Sequence, residues 1–124
     1  MNILKQRSEM GTVIVTINST QNNTIILARD SGNHNLASSS AGLVLKKKRG
    51  KKSVASGAQL SSEYVVTKLI DLGYSTVILH VKGFGRGRES AIYGFSSSPL
   101  NIQRVIDVTP KPHNGCRPKR ARRI

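Results

Sequence analysis

Residues 12–17, TVIVTI, set Val13, Val15 and Ile17 against Thr12, Ile14 and Thr16, with a β-branched side chain at every position. A side-chain period of two puts the first trio on one face, and branched Cβ atoms suit a pleated surface, so the stretch predicts a half-buried strand. The polar residues 18–23 turn the chain, and TIILAR at 24–29 resumes the β pattern. Asp30, Ser31, Gly32 and Asn33 then supply side chains that tolerate tight turns. A hairpin is predicted, with a short third strand over the serine-rich residues 34–40.

Farther along, Ser53 can cap a helix in which Val54, Ala58, Ser61, Val65, Leu69 and Leu72 recur at three- and four-residue intervals, with Gly73 ending it in a left-handed conformation. TVILHV at 76–81 is a nearly continuous apolar run, expected of a strand in mid-sheet covered on both faces. A glycine-rich loop at 83–87, a short helix near 89–95 and a strand at 102–108 complete the order β-β-β-α-β-α-β. The fold class is α/β: a single domain with a mixed β-sheet, helices packed on it and right-handed later crossovers. Residues 1–10 form a short N-terminal extension, 11–109 the α/β domain, and 110–124 an extended basic C-terminal tail whose prolines and cations leave no core of its own.

The 124 residues carry 20 Lys and Arg against 6 Asp and Glu, a formal net charge of +14. That excess repels itself in the compact state unless a polyanion neutralises it. A membrane surface would favour a basic amphipathic helix, whereas nucleic acid favours cations on loops and tails that follow phosphates. Here the densest tracts are Lys46, Lys47, Lys48, Arg49, Lys51 and Lys52 around Gly50, and Arg117, Lys119, Arg120, Arg122 and Arg123 in the tail; neither repeats apolar residues at helical spacing. No apolar run approaches the roughly 20 residues of a bilayer span, and the first ten residues lack a secretory h-region or Arg-rich presequence. The single cysteine, Cys116, forms no internal disulfide, so an intracellular setting is favoured.

A short charge run is often only solvated. Six cations in seven residues at 46–52, with no comparable acidic run elsewhere, point instead to phosphate contact. Lys82, Gly83, Phe84, Gly85, Arg86, Gly87, Arg88, Glu89 and Ser90 join a predicted strand to a predicted helix, where free backbone N–H groups can hold an anion. The order is not that of a nucleotide-binding P-loop, and Arg88 takes the place of the last glycine in a dinucleotide fingerprint. Glycines flanked by Lys82, Arg86 and Arg88 fit a fixed RNA phosphate, with a tight turn bearing solvated arginines as the alternative.

Enzymatic chemistry finds no footing. Glu9, Asp30, Glu63, Asp71, Glu89 and Asp107 are spread over different elements without paired spacing. His34, His80 and His113 make no short-range metal motif, and His113 near Cys116 lies in a Pro- and Arg-rich tail with no sign of a rigid pocket. No metal, cofactor or small-molecule substrate is expected. Asn18-Ser19-Thr20 and Asn22-Asn23-Thr24 match the glycosylation pattern but read as turn residues and RNA hydrogen-bonders. In Asn114-Gly115 the glycine offers no side chain to hinder attack on the Asn amide, making Asn114 a candidate for isoaspartate. An aromatic stacking platform for a free, sequence-reading RNA module is wanting, with 2 Phe, 3 Tyr and no Trp.

Taken together, Asp107 through Pro118, DVTPKPHNGCRP, resemble the tail signature DVTPxPHNGCRPP of the universal small-subunit ribosomal protein eleven family. Asn22-Asn23-Thr24-Ile25 resembles its NNTI turn, 82–90 its KGxGxGRES loop, and the basic run its K/R-rich segment before the long helix. The resemblance spans about residues 11–124. It implies a structural, non-enzymatic constituent of the small ribosomal subunit that binds small-subunit ribosomal RNA at the platform. The implied surroundings are other platform proteins and the exit-side path of messenger RNA, with no membrane. Carried over, Asn22, Asn23, the basic loop, the glycine loop and the tail with His113 and Asn114 should face RNA.

Several positions depart from the family pattern. Phe84 and Arg86 stand where many members have proline or a small residue, the helix start SVASGA lacks the usual Thr-Pro, a single proline at Pro118 precedes Lys119, and the amino end is short. The Ser-, Asn- and Ile-rich composition favours an organelle-encoded, mitochondrial relative of the bacterial type, with a bacterial cytoplasm or a plastid as alternatives.

Overall fold

The computed structural model describes residues 11–44 and 55–123. Ser53, Val54 and the basic run at 46–52 lie outside the described residues. Five strands, β1 (Val13–Ser19), β2 (Thr24–Arg29), β3 (Asn35–Ser40), β4 (Thr76–Lys82) and β5 (Asn101–Asp107), form one sheet in the order β3-β2-β1-β4-β5. Three helices accompany them: α1 (Ala41–Val44), α2 (Ala55–Leu72) and α3 (Arg88–Ser96). The pairs β1–β2 and β2–β3 are antiparallel, while β4 runs parallel to both β1 and β5. A mixed sheet with helices packed on it is therefore observed.

The alternation in β1 puts Val13, Val15, Ile17 and Ser19 in the interior and leaves Ile14 and Thr16 half-buried. In parallel register, Val77, Leu79 and Val81 of β4 point the same way, and all are fully buried. The helices supply Ala58, Val65, Val66 and Leu69 from α2 and Ala91 and Phe95 from α3 to the same cluster. Truncating the buried Phe95 to alanine would cost about 3–5 kcal/mol by loss of transfer energy and a residual cavity.

Both long helices lie on that one side, which corrects the expectation of a strand covered on both faces: Ile78 and His80 of β4 stay half-buried, and Ile25 on β2 is exposed. The apolar run in β4 reflects its place between two parallel neighbours, not a second helical layer. Leu72 is exposed at the end of α2, while Val66 and Ser62, absent from the expected apolar face, are buried. Gly73 ends α2 with φ +95°, as its position predicts. Asp30 closes the β2–β3 turn: its Oδ1 accepts from the Gly32 and His34 amides at 2.9 Å each, and Asn33 takes φ +61°. At the far edge, β5 carries a bulge, with Val77 paired to Ile102 and Ile78 to Arg104.

Candidate nucleic-acid interface

The parallel strands β1, β4 and β5 end at Ser19, Lys82 and Asp107, and open α/β sheets commonly bind ligands beyond the carboxyl ends of such strands. Three expected RNA-facing segments leave from this end. The residues flanking the fourth, the basic run, are tied there too.

The β1–β2 connection is a four-residue turn, Thr20 to Asn23. The Thr20 amide donates to the Asn23 carbonyl at 2.9 Å, and Thr20 Oγ1 bonds both the Asn23 carbonyl (3.0 Å) and the Asn23 amide (3.2 Å). Asn22 is exposed at the tip. Asn23 Oδ1 faces inward and accepts from the Thr24 amide at 2.9 Å and the Gly42 amide at 3.2 Å. Asn23 therefore fixes the turn to α1, immediately before the basic run. On the other side of that run, Ala58 in the first turns of α2 packs beside Gly87.

The glycine loop lies against this turn. Gly83 adopts φ +82°, and a Cβ there would overlap the Ser19 carbonyl oxygen; a Cβ on Gly85 would overlap the Thr20 carbonyl oxygen and come within 2.5 Å of Ser19 Oγ. The Gly85 amide donates to the Ser19 carbonyl at 3.2 Å. Positive φ is thus required at Gly83, while Gly85 is required for close approach. Gly87 is buried at the amino end of α3 against Thr24. Arg86 is exposed and Lys82 half-exposed. Between turn and loop lies a cleft of about 550 Å³ lined by Gln21, Asn22, Phe84, Gly85 and Arg86. A separate concavity of about 320 Å³ lies beside β3, lined in part by Tyr64 and Lys68.

Arg88 is held from within. Nη1 donates to the Gly83 carbonyl at 2.9 Å, Nη2 to Asp107 Oδ2 at 3.2 Å, and the guanidinium lies 5.5 Å from the centre of the Phe84 ring. Asp107 Oδ1 accepts from Thr109 Oγ1 at 2.6 Å and from the Thr109 amide at 3.0 Å. Thr109 Oγ1 in turn accepts from the Gly83 amide at 3.1 Å, closing a ring of four residues. These bonds, the Thr109 hydroxyl first, then its amide and Arg88, hold the Asp107 carboxyl at about 2, below its ordinary value.

The tail leaves from Thr109. Its described residues, 110–123, form no helix or strand and are exposed throughout, so His113, Asn114, Arg117, Lys119, Arg120, Arg122 and Arg123 present their side chains to solvent. Asn114 adopts φ +58°. Sequence reasoning took Thr20 as a turn residue but overlooked Asp107 and Thr109 as organisers of this end. The two-residue spacing of Asp107 and Thr109, typical of a side chain bonding the backbone ahead of it, was the available signal. Among the described residues, no cluster of three His, Cys, Asp or Glu could hold a metal ion, and no helix is long and apolar enough to cross a membrane.

The sequence pattern described as "Ribosomal protein S11" matches residues 13–123. The small ribosomal subunit protein uS11 of Borreliella burgdorferi (strain ZS7) is 41% identical over 120 residues, covering 97% of this chain and 92% of that protein. Proteins of the same name from Borreliella afzelii (strain PKo) and Borrelia garinii subsp. bavariensis show the same identity and coverage.

Proposed function

Because the chain belongs to the ribosomal protein S11 family, we propose that, as a structural constituent of the small ribosomal subunit, it binds small-subunit ribosomal RNA at the platform through the end of the sheet where β1, β4 and β5 finish. In this reading Asn22, Lys82, Arg86 and the tail cations meet phosphates and exposed bases. Gly83 and Gly85 admit the close packing that fixes the loop, and Asn23 and Arg88 hold the segments in place. The run at 46–52 joins them, its flanking residues being tied to Asn23 and Gly87. Neighbouring platform proteins and the exit-side path of messenger RNA are the surroundings. No catalytic step, cofactor or small-molecule substrate enters.

The observation that carries the proposal is that segments 20–23 and 82–88 meet at one end of the sheet, from which the basic tail departs at Thr109, in a chain with a net charge of +14. Fixed loops beside an extended cationic tail suit a folded, irregular RNA surface, which is read by shape and phosphate contact. The mitochondrial preference rests on composition alone, and the relatives described above are bacterial. Sedimentation of native lysate through a gradient, with this chain detected across the fractions, tests the proposal. Co-migration with the small subunit is expected, and recovery only at the top of the gradient would overturn it.

A further inference from the structure

We propose that the cleft between the β1–β2 turn and the glycine loop holds one unpaired RNA nucleotide, its base stacked on Phe84 and its phosphate at Arg86. The inference rests on the RNA-binding reading above and adds a specific subsite to it.

Phe84 is 81% exposed, the most exposed large apolar side chain among the described residues, whereas Phe95 is fully buried. A phenyl ring in water is unfavourable, and here the backbone that carries it is fixed. Its neighbours Gly83 and Gly85 are packed on the Ser19 and Thr20 carbonyls, and the Arg88 guanidinium, itself bonded to Gly83 and Asp107, lies over the ring. A ring carried on a fixed stretch of backbone loses less entropy when a base stacks on it than one on a mobile loop.

The remaining walls suit a nucleotide. Gln21 and Asn22 offer carboxamides, each both donor and acceptor, the groups that hydrogen-bond a base edge. Arg86 supplies the cation for a phosphate, and no acidic residue lines the cleft. Its volume of about 550 Å³ falls within the range of small-ligand sites, about 300–1,000 Å³. Bases in duplex RNA are stacked on their neighbours, so only an unpaired nucleotide can offer its face to the ring.

The chain has 3 Tyr and no Trp, so Phe84→Trp introduces one tryptophan at the site, which can be excited selectively on the long-wavelength edge where tyrosine does not absorb. Titrating that variant with a small-subunit ribosomal RNA transcript should quench its emission saturably, while duplex RNA of mixed sequence should not. Phe84→Leu should weaken transcript binding about ten- to hundredfold, the usual range for losing one base stack, with the melting temperature unchanged. Phe84→Tyr should restore it. Undiminished binding by Phe84→Leu, unquenched emission at saturating transcript, or ultraviolet crosslinking of this loop to a neighbouring protein in native subunits would each overturn the subsite. In those cases strong binding by the unaltered chain would leave the broader reading standing. Failure of the unaltered chain to bind the transcript would remove both.

Discussion

Arg88 and Asp107 meet at 3.2 Å across 19 residues of sequence, joining the amino end of α3 to the last residue of β5. With the Gly83 carbonyl on the other arm of the guanidinium and Thr109 between Asp107 and the Gly83 amide, the pair fixes the glycine loop to the root of the tail. Arg88, a cation expected to face RNA, thus braces the glycine loop and the root of the tail, the segments proposed to bind it.

The first prediction is a pH dependence of this junction. The Asp107 carboxyl is held at about 2, below an ordinary carboxylate near 4, so its contribution is fully present above about pH 4 and is lost as pH falls through about 2. Amide hydrogen exchange at Gly83 and Thr109, corrected for intrinsic rates, should accelerate over that interval relative to the β1 amides. Asp107→Asn should show weak protection at every pH. Equal protection in the variant would remove the carboxylate from the account.

The second prediction separates the two arginines of the loop. Arg86→Ala should lower affinity for ribosomal RNA and also reduce the salt slope by about one counterion, as for a lost phosphate contact. Arg88→Lys keeps the charge but loses the two-armed geometry, so affinity should fall with the slope unchanged. A slope lowered by Arg88→Lys and untouched by Arg86→Ala would reverse the assigned roles.

The third concerns Gly85. Its missing side chain admits the Thr20 carbonyl, so Gly85→Val must push the loop away from the turn and should weaken RNA binding at least tenfold, about 1.4 kcal/mol. Lys68→Ala, an exposed change on α2, should have little effect. Equal binding by the two folded variants would make the close approach incidental.

Much of this architecture was legible in the sequence. The β-branched alternation of β1 gave its buried face because a period of two has only one reading, and Gly73 marked the end of α2. The four-residue α1 was not legible: it is too short for periodicity and depends on the Ser40 hydroxyl, which accepts from the Leu43 amide at 3.0 Å, and on the distant Asn23. The sheet's open face was hidden for a different reason. An apolar run reports burial against any neighbour, and for β4 two parallel strands provide much of it. Of the candidate interface, the cations and glycines were visible as types, but the junction of the glycine loop with the root of the tail depends on bonds such as Gly83 to Thr109, 26 residues apart, which no local pattern encodes.

The fourth prediction concerns the tail. Deleting residues 117–124 removes Arg117, Lys119, Arg120, Arg122 and Arg123, all exposed and outside the core. At about 1 kcal/mol or less per exposed phosphate contact, RNA affinity should fall by up to several kcal/mol, while the melting temperature of the free protein hardly moves. Unfolding of the truncated protein would show that the tail packs on the domain. Normal entry into small subunits would show that it is dispensable for assembly.

The fifth measurement bears most directly on the central claim, that a folded end and an untied tail bind RNA through phosphates. Equilibrium binding of the full chain to a small-subunit ribosomal RNA transcript should be followed between about 50 and 200 mM salt. With six to ten phosphates neutralised, affinity should fall about a thousandfold or more across that range. An affinity that stays level would contradict the account.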